Sequence, residues 1–221
     1  MEAVTSLHGP THPFTLASKG NLAQSLKDQG RGEEARRLLQ ETIAQKAQVQ
    51  GEAHPDTLRE QVNLAITLKQ SGQLHEAAAL LEQTIAAMER CLDPKNMDVL
   101  HAKGEYASVL AGLGELDRAI SLQEQVVADF SATLGPSHRM TLFFEAHLAN
   151  YSLHMEQLYG LAKHIAEERY GTLHDDADIS SKWLARLREI FHKQREQLGP
   201  THEETLHTKK YLEVWKTLGV V

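Results

Sequence analysis

The sequence predicts an all-α fold, a solenoid of stacked antiparallel helix hairpins, and three observations carry that prediction. The chain repeats itself at a period of 42 residues. Apolar residues inside each copy recur at helical spacing. Proline falls near the predicted helix starts and stays out of the helix middles, and glycine recurs at the hairpin and inter-repeat joints.

The repeat is explicit. Residues 12–44 laid on residues 54–86 agree at seventeen positions without a gap, among them His12/His54, Pro13/Pro55, Thr15/Thr57, Leu16/Leu58, Asn21/Asn63, Ala23/Ala65, Gly30/Gly72, Ala35/Ala77 and Leu39/Leu81. A third copy keeps Asp98, Leu100, Ala107, Leu110, Gly114, Leu116, Ala119 and Leu122. A fourth opens at Gly135-Pro136-Ser137-His138 and keeps Thr141, Leu142, Leu148 and Ala149. A last Gly199-Pro200-Thr201-His202, followed by Thr205 and Leu206, comes 64 residues after the fourth, so an irregular stretch intervenes.

Taken in order, residues 1–8 read as the end of a truncated preceding helix or as an N-terminal tail, in which case the chain is part of a longer protein. Repeat 1 spans 9–50. Its first helix carries Leu16, Leu22, Ala23 and Leu26 on one side, Gly30 ends it where a positive φ is needed, and Ala35, Leu38, Leu39, Thr42 and Ile43 mark the second helix. The link between them is too short for anything but an antiparallel hairpin, and the small residues Ala23 and Ala35 sit where the two backbones come closest. Repeats 2 (51–92) and 3 (93–134) follow the same plan. Residues 135–172 form a degenerate repeat 4, with Glu156 where the hairpin glycine stands elsewhere. Residues 173–198 read as a single amphipathic helix with Trp183, Leu184, Leu187, Ile190 and Phe191 on one face. Residues 199–221 form a half-repeat whose helix, with Leu206, Leu212, Trp215 and Leu218, caps the core. At the joints, proline disfavours the helical region for the residue before it and starts the next helix. Thr15, Thr57, Thr141 and Thr205 are expected to satisfy free N–H groups of the new first turn, with Thr11, Ser137 and Thr201 as competing caps. His12, His54, His138 and His202 are read as structural parts of the turn. One hairpin cannot bury its own apolar face, whereas a stack of them can, which is why the unit recurs.

Composition excludes several functions. A net charge of −7 opposes binding to nucleic acid or to acidic membrane surfaces. No stretch approaches the roughly 18 apolar residues that span a bilayer. The single cysteine, Cys91, cannot form an internal disulfide and is read as a packing residue near a helix end. The first residues lack a basic and apolar leader, so the expected location is intracellular, cytoplasmic by default with an organelle left open. Glu33–Glu34 and Asp175–Asp176 suit helix starts through the dipole. His202, Glu203 and His207 miss metalloprotease spacing by one residue, and His147 with His154 lacks further ligands for zinc. No phosphate-binding loop is present. No catalytic, cofactor-binding or metal-binding residues are expected, and the chain is read as a non-enzyme.

These residues resemble the tetratricopeptide repeat, in particular the 42-residue version of kinesin light chains and nephrocystin-like proteins. That pattern runs Gly-x-x-His-Pro-x-Thr-Leu, Asn-Leu-Ala-x-x-Leu-x-x-x-Gly, Glu-Ala-x-x-Leu. Asn21-Leu22-Ala23, Asn63-Leu64-Ala65, Gly30, Gly72, Glu34-Ala35 and Glu76-Ala77 carry it. The match is close over 9–134 and looser over 135–170, with Glu105, Tyr106 and His147 as departures. The resemblance implies a right-handed superhelical solenoid whose first helices line a concave groove, and a scaffold or adaptor that binds a protein or peptide there. Carried over position by position, the groove residues are Asn21, Gln24, Lys27, Arg59, Asn63, Ile66, Lys69, His101, Ser108, Phe143, Asn150 and His154. A further row is Gly20, Val62, Gly104 and Ala146, and Leu153 ends another. Lys27, Arg59 and Lys69 add positive charge that favours an acidic segment. Asn21 and Asn63 either hold the ligand backbone or bond the neighbouring hairpin. The competing reading is a structural scaffold subunit embedded in a larger multiprotein assembly, and exposed array ends favour self-association.

Overall fold

The computed structural model of the chain describes the backbone of residues 9–170 and 178–200 with 202, 205, 206, 208–210, 212 and 213, and the side chains of these outside 156–184 and 187. Residues 1–8, Asp175, Asp176, Thr201, Glu203, His207, Trp215 and Leu218, and the side chains of Trp183, Leu184 and Leu187, lie outside the described part. Among the described residues there are eight principal helices and no strand. They are α1 (Pro13–Asp28), α2 (Gly32–Gln50), α3 (Pro55–Gln70), α4 (Leu74–Cys91), α5 (Met97–Gly112), α6 (Leu116–Leu134), α7 (Arg139–Tyr170) and α8 (Asp178–Leu198). The fold is the all-α hairpin solenoid that the repeat predicts. No described helix is long and apolar enough to cross a membrane.

The first two hairpins turn on a glycine. Gly30 sits at φ 76° and Gly72 at φ 78°. The next N–H reaches back to the helix, from Arg31 to the Leu26 carbonyl and from Gln73 to the Leu68 carbonyl, 2.9 Å in each case. This is the Schellman closure that a left-handed residue permits. The joints between repeats are built differently from the sequence expectation. The cap is the joint histidine: Nδ1 of His12, His54 and His138 accepts from the N–H of Phe14, Asp56 and Met140, each at 3.2 Å. In the third repeat Asn96 takes the place of histidine and accepts from the Asp98 N–H at 2.8 Å. The threonines do the opposite of capping. Thr15, Thr57 and Thr141 donate to the carbonyls of Gly9, Gly51 and Gly135, at 2.8, 3.0 and 2.9 Å, and tie the joint loop down. Thr11 and Ser137 cap nothing. An imidazole nitrogen two residues before the free N–H reaches it where a hydroxyl three residues further on cannot.

The chain divides into two compact units, Met1–Gly114 and Glu115–Val221. In the first, each helix packs on the next from α1 to α5, and the first helices of successive repeats also touch, α1 with α3 and α3 with α5. Its core joins Leu39, Leu58, Val62, Leu81, Met88 and Val109 around the nearly inaccessible Ala23, Ala65 and Ala77. The predicted crossing alanine of the second helix, Ala35, is likewise fully buried. Lys19 on α1 reaches Glu41 at 2.6 Å and Gln45 at 2.9 Å on α2. That ammonium hydrogen bond holds the Glu41 carboxyl below the usual carboxylate range. Cys91 is exposed at the end of α4, so it is not the packing residue expected.

In the second unit α6 packs on α7 and α7 on α8. Leu142, Ala146, Ala149, Leu153 and Ile190 form its core, with Leu212 packed against it. The helix runs straight through position 156, where the other hairpins have glycine, so α7 continues to Tyr170 instead of turning. Arg186 on α8 bridges Glu145 on α7 and Glu189 on its own helix. Of the expected capping residues, Leu212 packs inward but Leu206 is 48% exposed.

Candidate functional site on the first-helix face

A cavity of about 290 Å³ opens between α1 and α3, closed at its base by the end of α2. Ala17, Gly20, Asn21 and Gln24 line it from α1, and Arg59, Glu60 and Asn63 from α3. Lys46, Val49 and Gln50 of α2, with Pro13 and Leu16, complete it. Four of the residues expected in the groove therefore converge on one opening: Asn21, Gln24, Arg59 and Asn63.

The floor is a buried ion pair. Lys46 Nζ donates to Glu60 Oε1 at 2.7 Å, and the two side chains are only 9% and 8% exposed. The other carboxylate oxygen of Glu60 accepts from Asn63 Nδ2 at 3.0 Å. Gly20 makes the arrangement possible: a Cβ at that position would lie 2.5 Å from Glu60 Oε1. Around the rim, Arg59 lies 3.0 Å from Asp56 and 3.5 Å from Asp98. Gln24 Nε2 donates to Asp28 at 2.8 Å, and Gln50 Nε2 donates to Thr57 Oγ1 at 3.1 Å. The Asn21 amide is exposed. Asn63 holds Glu60 of its own helix, not the neighbouring hairpin, and Asn21 lines the opening.

The remaining expected residues lie elsewhere. Lys69 donates to Glu105 at 2.7 Å and to Ser108 Oγ at 3.1 Å, so that charge and that hydroxyl are engaged within the array. His101 stands 3.9 Å from the same Glu105. Lys27 is half-buried, and Ile66 packs partly against the first unit's core. In the second unit, Phe143 is half-buried with its ring edge-on to Phe144 and His147. Asn150 is half-buried and His154 exposed. His147 is buried beside Tyr151, so it and His154 share a helix face but not an environment. In the row Gly20, Val62, Gly104 and Ala146 all four are buried, Val62 and Ala146 in the cores of their units and Gly20 against the Glu60 carboxylate at the opening, and Leu153 is buried too. Among the described residues no three His, Cys, Asp or Glu side chains gather as metal ligands would.

Lys46 and Glu60 were not expected in the site. Their signal is visible at the 42-residue offset: Lys46 is in register with Met88 and Phe130, and Glu60 with Ala102 and Phe144. A charge in register with core residues of sister repeats marks a departure from packing.

Two profiles described as tetratricopeptide repeat match the sequence, one over residues 14–90 and the other over residues 99–139. Among solved structures, the chain is similar to the nearly identical TPR-like repeats of a Podosopora anserina protein assigned as a kinesin light chain. Identity is 26%, the TM-score 0.65, and 94% of this chain and 89% of that chain are covered. A point variant of the same protein matches at 25% identity and a TM-score of 0.64, covering 92% and 86%. BtubC (BKLC) from P. vanneervenii shares the fold, with a TM-score of 0.62 at 16% identity over 93% of this chain and 74% of that one. No curated protein matches the sequence.

Proposed function

The chain belongs to the tetratricopeptide-repeat family, its repeats being of the kinesin-light-chain type, and on that premise we propose that it is a non-catalytic module that holds a segment of a partner protein along the first-helix face of α1, α3 and α5. Repeats of this family serve protein–protein interaction, and the finer assignment to this face rests on one observation. The opening between α1 and α3 gathers hydrogen-bonding side chains from two successive repeats, the exposed Asn21, Gln24 and Arg59 and the half-buried Asn63, with Asn21 and Asn63 at equivalent positions. An extended segment lying across these helices would meet a donor and an acceptor at each repeat.

Charge pairing moves the reading away from the acidic segment that Lys27, Arg59 and Lys69 suggest. Lys69 has Glu105 within 2.7 Å, and Arg59 has two aspartates within 3.5 Å. A carboxylate arriving there would compete with carboxylates already in place, so net charge is not what this face selects.

Surface variants of the chain, used as bait for a partner identified from its native extract, test the reading. Ala17→Arg and Gln24→Arg on the first-helix face are expected to lower capture by tenfold or more, while Gln40→Arg and Gln83→Arg, exposed on α2 and α4, leave it unchanged. The reverse pattern would replace the groove reading with that of a scaffold subunit held through its second helices.

A further inference from the structure

Where consecutive repeats pack, one position on the second helix and one on the following first helix, each in register at the 42-residue offset, have occupants that differ in kind. In the second unit they are Phe130 and Phe144, stacked with ring centroids 5.3 Å apart. In the first unit, the α4–α5 junction has Met88 and Ala102, both in the core. The α2–α3 junction alone holds the Lys46–Glu60 pair. A buried ion pair commonly stabilises less than well-packed apolar side chains of similar volume. What it supplies here is a polar floor beneath an opening, and Gly20 keeps that floor uncovered. At the next repeat Val62 stands in register with Gly20 and Ile66 with Gln24.

We propose that the α1–α3 opening is a specificity pocket for an uncharged carboxamide side chain, glutamine or asparagine, presented by the partner segment; the proposal rests on the groove reading above. The charges that line the pocket cancel, Lys46 with Glu60 and Arg59 with Asp56; Asp98, 3.5 Å from Arg59, is not part of the lining. A carboxylate finds no bare cation there. An ammonium finds Glu60 with both oxygens already accepting, from Lys46 and from Asn63. Bringing a charge into this site without a partner is costly. The hydrogen-bonding capacity left over belongs to amides: both ends of Asn21, and the carbonyl oxygens and second N–H groups of Gln24 and Asn63, whose NH₂ groups each donate once to a carboxylate. A carboxamide brings two donors and an acceptor in one plane and can satisfy those groups together. Leu16 and Val49 offer apolar wall for its methylenes. At about 290 Å³ the opening is at or just below the small end of ligand pockets, a size that suits one side chain and excludes a bulky ligand.

The test is an NMR titration of the full ¹⁵N-labelled chain with N-acetylglutamine methylamide, N-acetylglutamate methylamide and N-acetyllysine methylamide, and separately with a random-sequence peptide pool. The glutamine probe is expected to shift the side-chain NH₂ signals of Asn21, Gln24 and Asn63 and to bind roughly tenfold tighter than either charged probe, the factor carried by one buried mismatch. Gly20→Ala, which forces the Glu60 carboxylate aside, is expected to abolish that preference. The Lys46→Met/Glu60→Ala variant, which installs the residues of the next junction, is expected to abolish it with helical content retained. Equal or tighter binding of a charged probe, or no shift with any of the three, overturns the proposal. The peptide pool separates the two claims: shifts along α1, α3 and α5 with the pool but none with the glutamine probe sink the pocket and keep the groove, and no shift on that face with either sinks both.

Discussion

Removing one partner of the Lys46–Glu60 pair should cost far more than removing both. The ammonium and carboxylate lie 2.7 Å apart with side chains 9% and 8% exposed. At an effective dielectric near 20 their attraction is about 6 kcal/mol before desolvation is counted, which bounds what the pair can contribute. Glu60→Ala leaves Lys46 buried with only the Asp56 carbonyl, 3.4 Å away, as a partner. Losses of 3–5 kcal/mol are typical of such orphaned charges. Because water can enter the adjoining opening, the lower figure, about 3 kcal/mol, is expected here. The double variant Lys46→Met/Glu60→Ala leaves no orphan and adopts the residues with which the α4–α5 junction is already packed. It should lie within about 1 kcal/mol of the parent or above it. Urea unfolding followed by far-ultraviolet circular dichroism, with hydrogen exchange along α2 and α3 to localise the change, measures both. A double variant as unstable as Glu60→Ala alone, or a single variant that costs nothing, would refute the view that this pair is a polar insertion into an otherwise apolar junction.

Three further outcomes follow from the joints and the last helix. Gly72→Ala forces a Cβ into the left-handed region at φ 78° and should cost about 1–2 kcal/mol in urea unfolding, more than Gly112→Ala inside α5. His54→Ala removes the Nδ1 cap of α3 and should cost about 1 kcal/mol, with His54→Asn restoring most of it, since Asn96 already caps α5 that way. Glu189, hydrogen-bonded by Lys193 and Arg186, has its carboxyl drawn down from 4.5 to about 2. Its folded-state value is depressed, so its stabilising effect is full above pH 4.5 and disappears as pH falls towards 2. Side-chain NMR titration should find it ionised at pH 3, and Arg186→Ala should raise its midpoint.

The fold was legible because the repeat is strict where geometry is strict. Gly30 and Gly72 are needed at positive φ, and Ala23, Ala35, Ala65 and Ala77 where helices cross, so sequence identity survives at those positions. The missing glycine at position 156 was visible in the sequence, but 135–172 still read as a degenerate repeat, whereas α7 runs on through 156 as one helix. The joints were misread because propensity ranks threonine as a cap and gives no weight to histidine, whereas reach decides which group meets the free N–H. The groove was half legible. A family pattern locates the first-helix face but not which residues on it are already committed, and Lys69 was committed to Glu105 by a residue 36 positions away. Val62 and Ala146 lie one turn from true surface positions, and periodicity alone does not place them inside. Lys46 and Glu60 are not legible from the residues the repeats share, because their signal is the opposite, a charge where the sister repeats carry Met88, Phe130, Ala102 and Phe144.

Site-specific photo-cross-linking with the bound partner tests the central claim most directly. A benzophenone side chain placed in turn at Asn21, Gln24 and Arg59, and at Gln40 and Gln83 on the second helices, reports which face touches the partner. Cross-links from the first three positions and none from the last two are the predicted result. Cross-links confined to Gln40 and Gln83 would contradict it and place the partner on the second helices.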